Sequence, residues 1–456
     1  MNYRKNTMNN NYWNEYKSKL VTADKAVRVV KSGDRVSFGQ IVTPTLELDK
    51  ALAKRRDELK DVYIMSSSMN HYAETIKCDP SQEHFIMNDF SFSVIERKMQ
   101  ADGMVYHIPE VLHEIPEFYR RKPADVVFCC ATPMDDRGYF NLSVTGLSLG
   151  AQVETAKHIV VEVHEKLPYV YGPSTQFLHI SKVDYVVEVE NSQLPLHLPV
   201  IEATDIDKKV AEHIVKEIED GACLQLGVGG TPNHVGKIIA DSDIKDLGVH
   251  TELLADAYVE MYEAGRITNM KKTLNRGLFV ANFAMGTEKL YNFVNHNPLV
   301  HVYNTDYTND PKIVMQNDKV ISICSCLNID ILGQVSSESV GRKQVSGTGG
   351  QMDFHYAAFH SRGGKGIICL PSARLDKNSG KYISNIVPAL MPGTVVSLPS
   401  SLTSYVVTEY GMVNLKAKST WERAEALVSI AHPECRDELI NACKEANIWR
   451  RSNKIC

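Results

Sequence analysis

The sequence predicts an α/β protein made of two similar open α/β domains. Three observations predict it. The stretch from Cys223 to Gly265 reads as strand, glycine loop, helix, strand and helix. The same succession stands earlier, over residues 22–68. Elsewhere, apolar runs such as ADVVFCC (124–130) and HIVVEV (158–163) are unbroken and β-branched, as strands buried on both faces of a parallel sheet are.

The repeat can be followed residue by residue. Gly33 matches Gly221, Gly39 matches Gly227, and Thr43-Pro44 matches Thr231-Pro232, all at a separation of 188 residues. Beyond the helix the separation becomes 185, which aligns Lys60-Asp61 with Lys245-Asp246. Two matching halves so far apart point to duplicated α/β domains rather than a short-period solenoid. A boundary near residue 200 gives domains 1–200 and 201–456. On the second separation Ser67 stands where Glu252 stands, so one half keeps a carboxylate that the other lacks.

In chain order, residues 1–20 are polar and Asn-rich and lack the apolar core of a signal peptide, which predicts a cytoplasmic protein. Met134 to Ser143 reads as a turn into a strand. Leu194 to Pro199 (LPLHLP) has too many prolines for a regular element and is a candidate linker. Residues 205–219 read as an amphipathic helix with Ile206, Val210, Ile214 and Ile218 on one face. Cys223 to Leu226 reads as a buried strand, and Gly227, Gly229 and Gly230 make the turn after it. Pro232 suits a helix start, where its missing N–H has no partner to lose. A second strand near Leu247 to His250 delivers Glu252. Val320 to Cys324, Gly366 to Leu370 and Ser404 to Thr408 read as further buried strands, and 421–447 as helical.

With 456 residues, 43% hydrophobic and 23% charged, the chain has the composition of an ordinary globular protein. Its net charge of −5 gives no electrostatic case for nucleic acid or anionic membrane. No apolar run is long enough to span a bilayer. The ten cysteines are scattered and read as reduced core thiols.

Glu252 leads the candidate chemistry. A carboxylate at a strand end beside a glycine loop can act as nucleophile or general base. It can equally be a surface glutamate favoured by a helix dipole. The loop's bare N–H groups suit an anion or a developing oxyanion. A second glycine motif, VSGTGGQMDF (345–354), places Gly347, Gly349 and Gly350 together, which implies positive φ or close backbone approach to something. It lacks the Lys-Ser/Thr ending of a phosphate loop. GVGGTP likewise lacks the spacing of a dinucleotide fingerprint. Glu409, Glu338 and Asp353 are competing carboxylates. His250 reads as a histidine satisfied at a strand end. Paired CxxC and HExxH motifs are absent, so no metal is implied.

GVGGTP, GVHTE and SGTGGQMDF, in this order and at these separations, resemble the acetyl-CoA hydrolase/transferase branch of the class I CoA-transferases. DYTND (306–310), MGTEKLY (285–291), VVTEYG (406–411) and IAHP (430–433) extend the likeness over nearly the whole chain. Within the family it is nearest to butyryl-CoA:acetate CoA-transferases, then to 4-hydroxybutyrate CoA-transferases. The resemblance implies two domains of the CoA-transferase fold, the second carrying the catalytic glutamate. It implies that Glu252 forms a glutamyl-CoA thioester in a ping-pong reaction. Gly227, Val228, Gly229, Gly230, Thr231 and Gly350 then match backbone that contacts CoA and the oxyanion. Leu327 and Asn309 match neighbouring pocket positions. It also implies acyl-CoA and small carboxylates as partners, CoA as co-substrate without a further cofactor, and a homo-oligomer. One departure stands out. Near relatives carry glycines around the position of Ser66-Ser67-Ser68, and the loop Gly39 to Leu46 differs too. If these line the acyl site, the acyl group carries a hydroxyl or a second carboxylate, as in 4-hydroxybutyrate, succinate or itaconate. An acyl-CoA hydrolase and a CoA-binding sensor are the rival functions.

Overall fold

Why the apolar runs form strands is plain from their two faces. In Val126–Ala131, Val126 and Phe128 enter one core cluster with Val36, Phe38, Ile64 and Phe85. Val127, Cys129 and Ala131 enter another with Met65, Val161 and Val163. A strand covered on both sides has no polar face to alternate with.

The computed structural model describes residues 10–197 and 202–450. The chain divides into two units, Met1–Pro199 with Val280–Thr308, and Val200–Phe279 with Asn309–Cys456. The sequence predicts a single cut near residue 200. The fold differs from that expectation, because 280–308 packs with the first unit.

The first unit holds a parallel seven-stranded sheet. Its strands are β1 (Arg35–Ser37), β2 (Val62–Ser66), β3 (Phe85–Asp89), β4 (Tyr106–His107), β5 (Val126–Ala131), β6 (His158–Val163) and β7 (Tyr185–Glu188), with helix α1 at Leu46–Ala53. Their order is β4-β3-β2-β1-β5-β6-β7. The second unit contains α2 (Asp205–Val215), β8 (Cys223–Leu226), α3 (Gly230–Ala240), β9 (Gly248–Leu254), α4 (Asp256–Glu263), β10 (Val320–Ser325), α5 (Gln351–His360), β11 (Lys365–Cys369), β12 (Tyr405–Thr408) and β13 (Gly411–Asn414). Six of its strands run β9-β8-β10-β11-β12-β13, parallel except for the β12–β13 hairpin. The order β2-β1-β5-β6-β7 in one unit is thus the order β9-β8-β10-β11-β12 in the other. The repeat seen in the sequence is repeated in topology.

The two halves part at their glycine loops. In the second unit helix α3 begins at Gly230, so Pro232 is its third residue rather than its first. In the first, the chain stays non-helical until Leu46. There the loop folds back so tightly that a side chain on Gly39 would meet the Thr43 carbonyl and the Thr45 amide.

Other boundaries also differ. The helix predicted over 205–219 stops at Val215, and its Ile206 is exposed while Val210, Ile214 and Ile218 are buried. The helical stretch 421–447 is two helices, Thr420–Ser429 and Arg436–Glu445, parted by the turn at His432-Pro433. Of the linker LPLHLP, residues 198 and 199 lie outside the described residues, as do residues 1–9 of the polar N-terminal stretch. The nine described cysteines are free thiols, seven of them buried. Among the described residues no helix is long and apolar enough to cross a membrane.

Candidate functional site

Strand β9 continues through Glu252 to Leu254, so it ends four residues past His250 and holds the glutamate within it. Two ties hold this strand. The Tyr258 hydroxyl, from α4, accepts the Leu226 N–H at 2.8 Å and donates to Thr251 Oγ1 at 3.1 Å. It thereby joins the ends of β8 and β9. The buried Lys272 ammonium donates to the Val249 and Leu278 carbonyls at 2.7 and 2.8 Å. Burial lowers its pKa to about 8.

Glu252 is half-buried as a residue, and its carboxylate is enclosed by protein. Asn309 Nδ2 donates to Glu252 Oε2 at 2.8 Å. The Gly350 backbone N–H donates to the same carboxylate. Gly350 is also the N-cap of α5, and a methyl group there would overlap Glu252 Oε2 and Asn309 Nδ2. The second glycine motif therefore closes on the glutamate. Burial, the largest cause, pushes the Glu252 pKa up to about 7. The Asn309 bond opposes it, the Asp353 charge adds to it, and the Gly350 bond opposes it. A carboxylate with such a pKa is poised between acid and nucleophile near neutrality.

The first glycine loop stands at the same end of the sheet. Cys223 pairs with Gly248 and Leu224 with Val249, and counting on brings Gly227 level with Glu252. The Gly227 N–H donates to the Ile323 carbonyl at 2.8 Å, and Cys324 next to it feels the Glu252 charge. Gly229, at φ 139°, caps α3 without a side-chain hydrogen bond, and Val228 is exposed. Helix α3 thus opens on bare N–H groups. Thr231 turns its hydroxyl away, donating to Asp207 Oδ1 at 2.5 Å.

So the structure brings Glu252, Asn309 and Gly350 into contact and sets Gly227–Thr231 at the same edge. Leu327 is half-buried just beyond β10, and its N–H donates to the Ser336 carbonyl at 2.9 Å. The competing carboxylates have other work. Glu409 accepts the Ser372 N–H and hydroxyl at 2.9 and 2.7 Å. Glu338 accepts the Thr348 hydroxyl at 3.1 Å and so braces the second glycine loop. Asp353 is fully buried, one turn into α5. His250 is buried beside Asn317, 3.3 Å away.

In the first unit, Ser66 and Ser67 are buried at the end of β2. Neither Ser66 Oγ nor Gln40 Oε1 has a hydrogen-bond partner. Asn70 Nδ2 donates to the Ile41 carbonyl at 3.2 Å, tying the serine run to the Gly39–Leu46 loop. One cluster matches no sequence motif: Cys130, Glu162 and His164, whose donor atoms lie within 4.8 Å of one another. Its only local signal is the alternation Glu-Val-His at the end of β6.

Comparison with known proteins identifies the family. Residues 4–197 match the family model of the acetyl-CoA hydrolase/transferase N-terminal domain, and 286–443 that of the C-terminal domain. The chain is 46% identical to the butyryl-CoA:acetate CoA-transferase of Anaerostipes caccae, over 96% of this chain and 99% of that one. It is 44% identical to the probable butyrate:acetyl-CoA coenzyme A-transferase of Syntrophomonas wolfei, over 97% and 98%. The crystal structure of RipA from Yersinia pestis superposes with a TM-score of 0.87 at 34% identity, covering 96% of this chain and 99% of that one.

Proposed function

The chain belongs to the acetyl-CoA hydrolase/transferase family and is a CoA-transferase, and we propose that it moves CoA from a short-chain acyl-CoA of the butyryl type to acetate or another small carboxylate through a thioester on Glu252. The observation that carries the mechanism is the enclosed Glu252 carboxylate held by two N–H donors, Asn309 and Gly350.

The glutamate oxygen that Asn309 does not hold attacks the acyl-CoA carbonyl. The C–S bond breaks, leaving a mixed anhydride and CoA thiolate. The thiolate then attacks the Glu252 carbonyl carbon, and the acyl carboxylate departs with its bonding pair. Negative charge grows on the glutamyl oxygen in that step, where the Asn309 and Gly350 N–H groups are already aimed. The acceptor carboxylate runs the steps backward, so CoA leaves on a new acyl group. Each intermediate keeps the thioester's reactivity, so no ATP is needed. Enclosure limits its loss to water. The bare N–H groups at Gly229–Thr231 suit an anionic group of CoA. A cytoplasmic location and a homo-oligomeric state go with this reading.

Trapping tests it. After incubation with acyl-CoA, borohydride or hydroxylamine is expected to modify Glu252, as peptide mass analysis would read. An unmodified Glu252 in protein that still turns over sinks the thioester. Supplying acetate should yield acetyl-CoA; free CoA without acetyl-CoA makes the protein a hydrolase, and binding without turnover a sensor. The kcat/KM for butyryl-CoA, set against 4-hydroxybutyryl- and succinyl-CoA, decides the acyl group.

Two further outcomes follow from the site. Glu252 must be ionised to attack, so kcat/KM for acyl-CoA should rise with pH below about 7 and level above it. Asn309→Ala removes a donor that lowers this pKa. The rising limb should shift to higher pH, and kcat should fall by about 10²-fold.

A further inference from the structure

We propose that Cys130, Glu162 and His164 form a binding site for one divalent ion of borderline softness, of the Zn²⁺ type. Its role is structural, and it locks the Gly39–Leu46 loop onto the first unit's sheet. Cys130 on β5 pairs in register with Glu162 on β6, and His164 follows two residues on, so all three project from one face at the carboxyl ends of neighbouring strands. All three are buried, and a sulfur, a ring nitrogen and a carboxylate oxygen lie within 4.8 Å of one another. His164 Nε2 and Glu162 Oε2 are 3.2 Å apart. Two ligands about 2.0 Å from a tetrahedral zinc stand roughly 3.3 Å from each other.

The supporting contacts are of the kind that orient metal ligands. His164 Nδ1 meets Ser192 Oγ at 2.7 Å, and Ser192 Oγ accepts the Leu194 N–H at 3.1 Å. This leaves Nε2 to face the cluster. Glu162 Oε1 accepts the Leu48 N–H at 2.6 Å, which leaves Oε2. The Cys130 thiol points at the Pro44 carbonyl 3.5 Å away, an oxygen available as a fourth donor. Pro44 lies in the Gly39–Leu46 loop and Leu48 in the helix that follows it, so an ion here fastens both to β5 and β6.

Charge balances as well. Zn²⁺ displaces the thiol proton, and the thiolate and carboxylate then neutralise the ion. Leu167 and Leu194 pack with Cys130 and wall the cluster from water.

The test uses the full chain, stripped with a chelator and dialysed. Zn²⁺ should bind at one equivalent by elemental analysis, and Co²⁺ should give a thiolate-to-metal charge-transfer band. Zn²⁺ should also protect Cys130 from alkylation, mapped by peptide mass. Cys130→Ser and His164→Gln should each weaken Zn²⁺ binding by at least about 100-fold and abolish the cobalt band. Equal Zn²⁺ binding by wild type and both variants overturns the site. So does a wild-type protein whose cobalt spectrum lacks the band or whose Cys130 alkylates at the same rate with Zn²⁺ as without. These last two readouts use the unaltered chain, so they test the site even where a variant fails to fold.

Discussion

Glu252→Gln should lower kcat for CoA transfer by at least about 10³-fold while the protein stays folded. Glutamine keeps the shape and accepts the same two N–H groups, from Asn309 and Gly350. What it lacks is a nucleophilic oxygen, so neither anhydride nor thioester can form. The same variant carries a stability signature. The folded pKa of Glu252 is raised to about 7 from an ordinary 4.5. Below the ordinary value the carboxyl is protonated in both states and costs nothing. As pH rises toward 7 the unfolded chain ionises while the folded site resists. Wild-type stability therefore falls across that window and then levels. Glutamine has no such loss. At pH 8 it should be more stable than wild type by up to about 3 kcal/mol, narrowing toward pH 5. Denaturant titrations at the two pH values read this directly. A variant that keeps its turnover, or shows the same stability gap at both pH values, removes Glu252 from the chemistry.

That pairing of lost activity and gained stability would mark a group held where it is uncomfortable because the reaction needs it there. Half of it is legible in the sequence. The glycine loops and the repeated Thr-Pro pair punctuate the chain, and punctuation of that kind survives in a one-dimensional pattern. They disclose both α/β units and the edge on which Glu252 stands. The strand's run past His250 is hidden because Thr251 and Glu252 look polar. In the fold Thr251 is fully buried and answered by Tyr258. The return of 280–308 to the first unit is not legible either, since the residues it packs with there lie far away in sequence. The cluster of Cys130, Glu162 and His164 escapes for a related reason. Its members meet by register across two strands, not by spacing along one.

The reason for one glycine emerges only in three dimensions, and it yields the second large effect. Gly350 has φ −95°, which any residue can adopt, so its backbone makes no demand for glycine. The demand comes from where a side chain would go. A methyl group there would occupy the space of Glu252 Oε2 and Asn309 Nδ2 and come within 3.2 Å of Phe354 Cδ2. Gly350→Ala should therefore push the carboxylate off its two donors. A displacement of about 1 Å costs on the order of 10²-fold in rate, and kcat should fall at least that far. Gly349 is the control, since its requirement is the opposite one. Its φ of 57° favours glycine, but a side chain there would meet nothing within 4 Å. Gly349→Ala should cost about 1 kcal/mol of stability through backbone strain and leave kcat within a few-fold. If instead Gly350→Ala keeps its turnover and Gly349→Ala loses it, the carboxylate is not gripped at α5, and Asn309 alone would have to hold it.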